Sequence, residues 1–178
     1  MAADAADEIA AAWERERPGT PTESIGIVTR LWQLAKIFGE DRRRVLAVAG
    51  VDTATLDLLS VLRRSSPPYT LSTRELAHRT LVTPGAISQR VARAERDGLV
   101  LRRSEPGGRT VWVELTAAGH ELVERTVDLV LEREVELLET LDTDQRAQLA
   151  ELLRTLLEDV RQRTGNDGLT QVGHPEAG

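Results

Sequence analysis

Cysteine is absent, which excludes disulfides, thiolate metal sites and a thiol nucleophile. Aromatic residues make up only 3% of the 178 residues, while apolar residues make up 40%. A core must therefore be built from leucine, valine and alanine, and that balance favours helices over a β-sandwich. Lysine is nearly missing too, Lys36 being the only one. No apolar run approaches the ~20 residues of a membrane span, and the N-terminus lacks a signal-peptide pattern. A soluble, cytoplasmic protein without a membrane partner is the expectation. No glycine-rich phosphate loop or G-x-S-x-G elbow occurs, and His78, His120 and His174 are scattered, none at metal-ligand spacing. Neither an enzyme nor a metal or cofactor site is expected.

What is present is concentrated in residues 71 to 116. Ser72 and Glu75 have the spacing of a capping box, in which hydroxyl and carboxylate satisfy the free amides of a new helix. Thr83 before Pro84 marks a second start, with the hydroxyl as cap and proline where its missing N–H costs nothing. Ile87, Val91 and Ala94 then form one apolar helix face, and Gly98 closes it. Leu99 to Arg103 and Thr110 to Leu115 flank Glu105-Pro106-Gly107-Gly108, a turn suited to a hairpin. Val111, Val113 and Leu115 alternate with polar positions and give the second strand one inward face. Helix, turn, helix, hairpin is the order of a winged helix.

The surrounding chain is helical. Residues 4 to 17 hold a short alanine-rich helix with Ile9 and Trp13 on one side, ended by Pro18, Gly19 and Pro21. An isolated helix of this length is marginal, so Trp13 is expected to anchor it by docking. A helix over 24–50, ~38 Å long at ~25 residues, carries Trp32 and Phe38 as packing residues. Asp52 or Thr53 caps the next helix, in which Asp57 falls at the edge of a leucine arc and is expected to be partly solvated. Thr116 caps a helix bearing Leu122 through Leu141, and Asp142 with Gln145 caps a last one bearing Leu149 through Val160. The leucine in these two helices exceeds what one winged helix can bury. Exposed stripes of that size mark an interface, so a homodimer is expected, matching the palindromic operators that paired helix-turn-helix units read. The resulting fold class is mainly α with a small β-wing (α+β): a winged helix-turn-helix over 52–116, flanked by dimerisation helices at 24–50 and 117–163. Together they form a single domain, 1–164, with a flexible tail over 165–178.

Charge points to a partner. Residues 71 to 115 carry eight arginines against five acids, a local excess of +3 in a chain of −6. A basic island in an acidic protein suits a polyanion. Arg90, Arg93 and Arg96 recur along the second helix, and Arg109 sits at the hairpin tip. The alternative is a merely solvated helix face. On the DNA reading, the helix N-terminus, with Thr83, Pro84, Gly85, Ala86, Ser88 and Gln89, meets base edges. Arg93 then meets phosphate, Arg109 enters the minor groove, and Ser72 and Arg90 complete the interface with double-stranded DNA.

The segments TPGAISQRVARAERDGLV and RTVWVELT resemble the DNA-binding core of the MarR family of bacterial transcription regulators, with a match from about Ile25 to Val160. The resemblance implies a dimeric, ligand-responsive regulator, in the expected case a repressor. One departure stands out. The family usually has an aspartate two residues before the wing arginine, and here Gly107 leaves Arg109 without that brace, so a more mobile wing is expected.

A narrower resemblance is to the urate-responsive branch of that family, which has an extra N-terminal helix with a tryptophan. It also has an aspartate before the DNA-binding unit, an arginine in the recognition helix and another on the first wing strand. These fall on Trp13, Asp57, Arg90 and Arg102. A tryptophan face suits a planar heterocycle, and two guanidinium forks suit an anionic ring's oxygens. Asp57 accepts ring N–H groups, or pairs with Arg90 or Arg102 when no ligand is bound. The blander account is an interhelical salt bridge with no ligand. Three functions stay open: a regulator released by a small aromatic anion such as urate, the same DNA binder with another effector (a tricarboxylate) or none, and a winged helix serving as a protein-interaction module.

Overall fold

The computed structural model describes residues 3–104 and 110–165. The chain divides into two compact units, the first ending at Arg42 and the second beginning at Arg43.

In the first unit, α1 (Ala5–Glu16) starts in a capping box formed by Asp4 and Asp7. Arg30, on the long helix α2 (Glu23–Ala49), donates to both carboxylates at 2.7–2.9 Å. These bonds hold the Asp4 pKa below the usual aspartate value and raise that of Arg30. Ala6 is fully buried, whereas Ile9 and Trp13 remain 42% and 48% exposed. The start of α1 is thus held by a small residue and an ion-pair clamp, not by the tryptophan the sequence nominates. Trp32, expected to pack, is 74% exposed.

The second unit comprises the last turns of α2, the winged helix and the two helices C-terminal to it. Gly50 adopts the left-handed conformation that ends α2, and Asp52 caps α3 (Thr53–Arg63) by accepting from the Thr55 amide at 2.7 Å. After a loop comes a strand that the sequence pattern does not announce, β1 (Thr70–Ser72). Ser72 ends the strand and also caps α4 (Thr73–Thr80) in the expected box with Glu75. Thr83 and Pro84 open α5 (Pro84–Arg96) as expected. Gly98 turns the chain into β2 (Val100–Ser104), which pairs with β3 (Val111–Leu115). The sheet order is β1-β3-β2, antiparallel throughout. Strand pairing puts Val100 opposite Leu115 and Leu71 opposite Val113. All four are buried, together with Leu58, Leu59 and Leu62 of α3 and Ile87 and Val91 of α5.

Thr116 caps α6 (Ala117–Leu137). Its Oγ1 also donates to the Gly98 carbonyl at 2.7 Å, and its amide donates to the Leu99 carbonyl. Gly119 lies so close to this crossing that a Cβ there would stand 2.1 Å from the Leu99 oxygen. The start of α6 is therefore seated directly on the exit of α5. On its other side α6 is fastened to α3 by Arg63, which bonds Glu124 at 2.8 Å and stacks over Tyr69. α6 ends at Leu137, short of the apolar pattern that runs on to Leu141, and α7 (Thr143–Thr164) starts from the expected Asp142–Gln145 box. No residue of α7 is buried.

Candidate nucleic-acid interface

The surface of α5 is set by its own periodicity. Ile87, Val91 and Ala94 point into the core, so the positions between them point out: Thr83, Pro84, Gly85, Ser88, Gln89 and Arg93 are exposed, and Ala86 and Arg90 half-buried. The Thr83 hydroxyl accepts from the Ala86 amide at 3.2 Å, and the Ser88 hydroxyl donates to the Pro84 carbonyl at 2.8 Å. Gly85 has open space around it, a Cβ there meeting only the Thr83 hydroxyl at 4.0 Å. This leaves the first turn of α5 low and accessible, as close approach to a groove floor requires. Ser72, grouped with these residues from sequence, is 8% exposed, and its hydroxyl exchanges hydrogen bonds with Glu75. Its work is capping α4. Arg109 lies outside the described residues, as does the Glu105–Gly108 turn.

Two of the arginines singled out from sequence are held by carboxylates. Arg93 donates through Nη1 to Oδ2 of Asp52 at 2.9 Å. Burial opposes ionisation of Asp52, but the Thr55 amide and hydroxyl and the Arg93 guanidinium outweigh it and set its pKa below the usual aspartate value. Arg102 donates through Nε to Glu95 at 2.7 Å, and that hydrogen bond lowers the Glu95 pKa and raises that of Arg102. The carboxylate found with Arg102 is thus Glu95 rather than the Asp57 suggested by sequence. The reason is local: the Gly98 turn folds β2 back beside the last turn of α5, bringing residues seven apart together. Asp57 is half-buried on α3, in keeping with its expected position at the edge of the leucine arc. Arg90 makes no ion pair among the described residues. Trp13 belongs to the first unit.

A hollow of about 540 Å³ opens at the elbow of α4 and α5, lined by Thr73, Arg74, Ala77, His78, Leu81, Val82, Pro84, Ile87 and Ser88. Asp57, Arg90 and Arg102 are not among its walls. Among the described residues no group of three or more His, Asp or Glu side chains could hold a metal ion, and no single helix is long and apolar enough to cross a membrane.

An α5 with an open first turn, backed by α4 and leading into a β2–β3 hairpin, is the geometry of a winged-helix DNA reader. Residues 49–110 match the model of the MarR family. Over a longer span, the chain is similar to the HTH-type transcriptional regulator PecS of Dickeya dadantii (strain 3937), with 24% identity over 147 residues, 82% of this chain and 89% of that one. It also resembles two solved structures. Sco3205, a MarR-family regulator from Streptomyces coelicolor in complex with DNA, is 29% identical with a TM-score of 0.63, over 78% of this chain and 92% of that chain. NadR in complex with 4-hydroxyphenylacetate is 26% identical with a TM-score of 0.57, over 73% and 91%.

Proposed function

We propose that the protein is a dimeric, ligand-responsive repressor that binds a palindromic operator through α5 and the wing and leaves it when a small aromatic anion, urate in the first instance, binds. The observation that carries the DNA reading is the accessible first turn of α5, with Thr83, Gly85, Ser88 and Gln89 outward over a buried Ile87–Val91–Ala94 face. The likeness to Sco3205, solved on DNA, supports the same reading. The dimer is supported by the leucines of α7, which this chain leaves uncovered.

The effector reading rests on the residue pattern Trp13, Asp57, Arg90 and Arg102, and draws support from NadR, a relative solved with 4-hydroxyphenylacetate, itself a small aromatic anion. An anion bound by Arg102 must compete with Glu95 for the guanidinium, and Arg90 lies on α5 itself. Ligand and DNA would then draw on the same helix and the strand after it, without a long pathway. To lower operator affinity ~100-fold, the ligand must prefer the DNA-free state by only ~2.7 kcal/mol, the order of a few charge-assisted hydrogen bonds.

The test is a mobility shift on the DNA upstream of the protein's own gene, titrated with urate. Wild type should bind and be released. Trp13→Phe and Asp57→Asn should bind DNA normally but respond weakly to urate, while Arg90→Ala should lose both functions. Wild-type protein that stays bound at saturating urate rejects urate as effector. Absence of any binding rejects the DNA reading.

A further inference from the structure

Asp52 serves α3 as its N-cap, yet it uses only half of its carboxylate for that purpose. Oδ1 accepts from the Thr55 amide at 2.7 Å, and Oδ2 accepts from Nη1 of Arg93 at 2.9 Å, 41 residues away on α5. A side chain fixed at one oxygen by the backbone of a helix start is a rigid anchor for whatever the other oxygen holds. The guanidinium has five N–H donors in a planar fork, and the contact with Asp52 occupies one of them. Nε and Nη2 stay available, on a side chain 58% exposed to solvent. An arginine so held keeps its charge and loses much of its freedom, the preparation that lowers the cost of engaging a phosphate.

We propose that Asp52 is a positioning residue for DNA binding: it fixes the Arg93 fork so that the remaining donors meet a backbone phosphate when α5 enters the major groove. This rests on the DNA reading above and needs no particular operator or effector, because phosphate contacts are independent of sequence. Neither residue spacing nor capping signals distinguish this second role. It arises because the corner between α2 and α3 packs beside the last turns of α5, so the cap also becomes a bracket on the recognition helix.

Asp52→Asn separates the two roles. The amide oxygen still accepts from Thr55, asparagine being as good a cap as aspartate, while its NH₂ group faces Arg93 and cannot accept. Binding to a fluorescein-labelled duplex of mixed sequence is followed by anisotropy over a range of salt concentrations, for wild type, Asp52→Asn, Arg93→Ala and the double variant, with thermal melts alongside. The expected result is a melting temperature lowered only slightly, by the loss of one half-exposed ion pair, and about two- to fivefold weaker binding for Asp52→Asn. Arg93→Ala should bind more weakly, with a salt slope reduced by about one, and adding Asp52→Asn to it should cost nothing more. Unchanged or tighter binding by Asp52→Asn overturns the proposal, because Asp52 is then only a cap or a repulsive charge beside the phosphates. Losses that add in the double variant also overturn it, since Asp52 would act without Arg93. Wild-type protein with no salt-dependent affinity for the duplex removes the DNA reading and the proposal together. Wild-type binding with an indifferent Asp52→Asn removes the proposal alone.

Discussion

Helices α5 and α7 are both amphipathic, and they end in opposite states. In α5 the apolar stripe Ile87, Val91 and Ala94 is 1% exposed at each position. In α7 the stripe Leu149, Leu153, Leu156, Leu157 and Val160 sits at 39–41%, and Leu152 at 62%. The difference lies in what surrounds them. α5 is enclosed by α3, α4 and β2, each of which brings its own apolar face to a common core. Among the described residues, α7 is joined to the short corner after α6, where Arg146 donates to the Leu138 and Leu141 carbonyls at 2.9–3.1 Å, and none of its own residues is buried. A sequence pattern alone makes a helix and marks its sticky side. Whether that side is satisfied depends on the neighbours, and the neighbour proposed for α7 is a second copy of the chain.

The largest break in this contrast is removal of α7. A chain ending at Leu141 should keep a cooperatively melting winged helix, lose dimerisation in sedimentation velocity and lose specific DNA binding, because two half-sites are then read by unconnected units. A truncated protein that still sediments as a dimer would move the interface elsewhere. Next come matched leucines. Leu59→Ala, at a fully buried site, should cost ~2–5 kcal/mol of unfolding free energy in urea melts. Leu153→Ala should leave the melt at low protein concentration unaltered while raising the dimer dissociation constant roughly tenfold or more, at ~0.8 kcal/mol per buried methylene.

A subtler probe lies where α6 meets the exit of α5. Helix propensity alone predicts that Gly119→Ala stabilises by up to ~1 kcal/mol. The Cβ would instead stand 2.1 Å from the Leu99 oxygen, so the variant should lose ~1–3 kcal/mol. The sign of the change in melting temperature decides.

The smallest effect is titration. Asp52, Glu75 and Glu95 all have pKa values below their ordinary ones: Asp52 because its hydrogen bonds outweigh burial, Glu75 chiefly through Ser72, and Glu95 chiefly through Arg102. A carboxylate whose folded pKa is depressed contributes stability fully above its unfolded value, and that contribution disappears as pH falls through the folded one. The winged helix should therefore be level in stability around neutrality and weaken below the ordinary carboxylate range near pH ~4. In Glu95→Gln that acid slope should be shallower in urea melts taken at successive pH values.

These contrasts also divide what the sequence makes legible from what it does not. Caps are local, three residues from hydroxyl or carboxylate to amide, and Ser72–Glu75, Thr83–Pro84, Thr116 and Asp142–Gln145 stand where their spacing puts them. β1 escapes because three residues carry no periodicity, and the strand exists only through pairing with β3, some 40 positions on. The end of α6 is overrun because Leu138 and Leu141 continue the apolar rhythm into the turn. In the candidate site, the outward face of α5 is legible from its buried one. The partners of Arg93 and Arg102 are not, because Asp52 reads as a cap and Glu95 as one more helix-surface acid until the corner and the hairpin fold them against the arginines.

If two copies of α5, joined through the uncovered helices, read one face of a duplex, the DNA itself should record the pair. Hydroxyl-radical footprinting on the DNA upstream of the protein's own gene tests this directly. A paired reader gives two protected segments of equal strength, their centres about one helical turn or ~34 Å apart, both lost together when α7 is removed. A single protected segment, or a pair that survives the truncation, would contradict it.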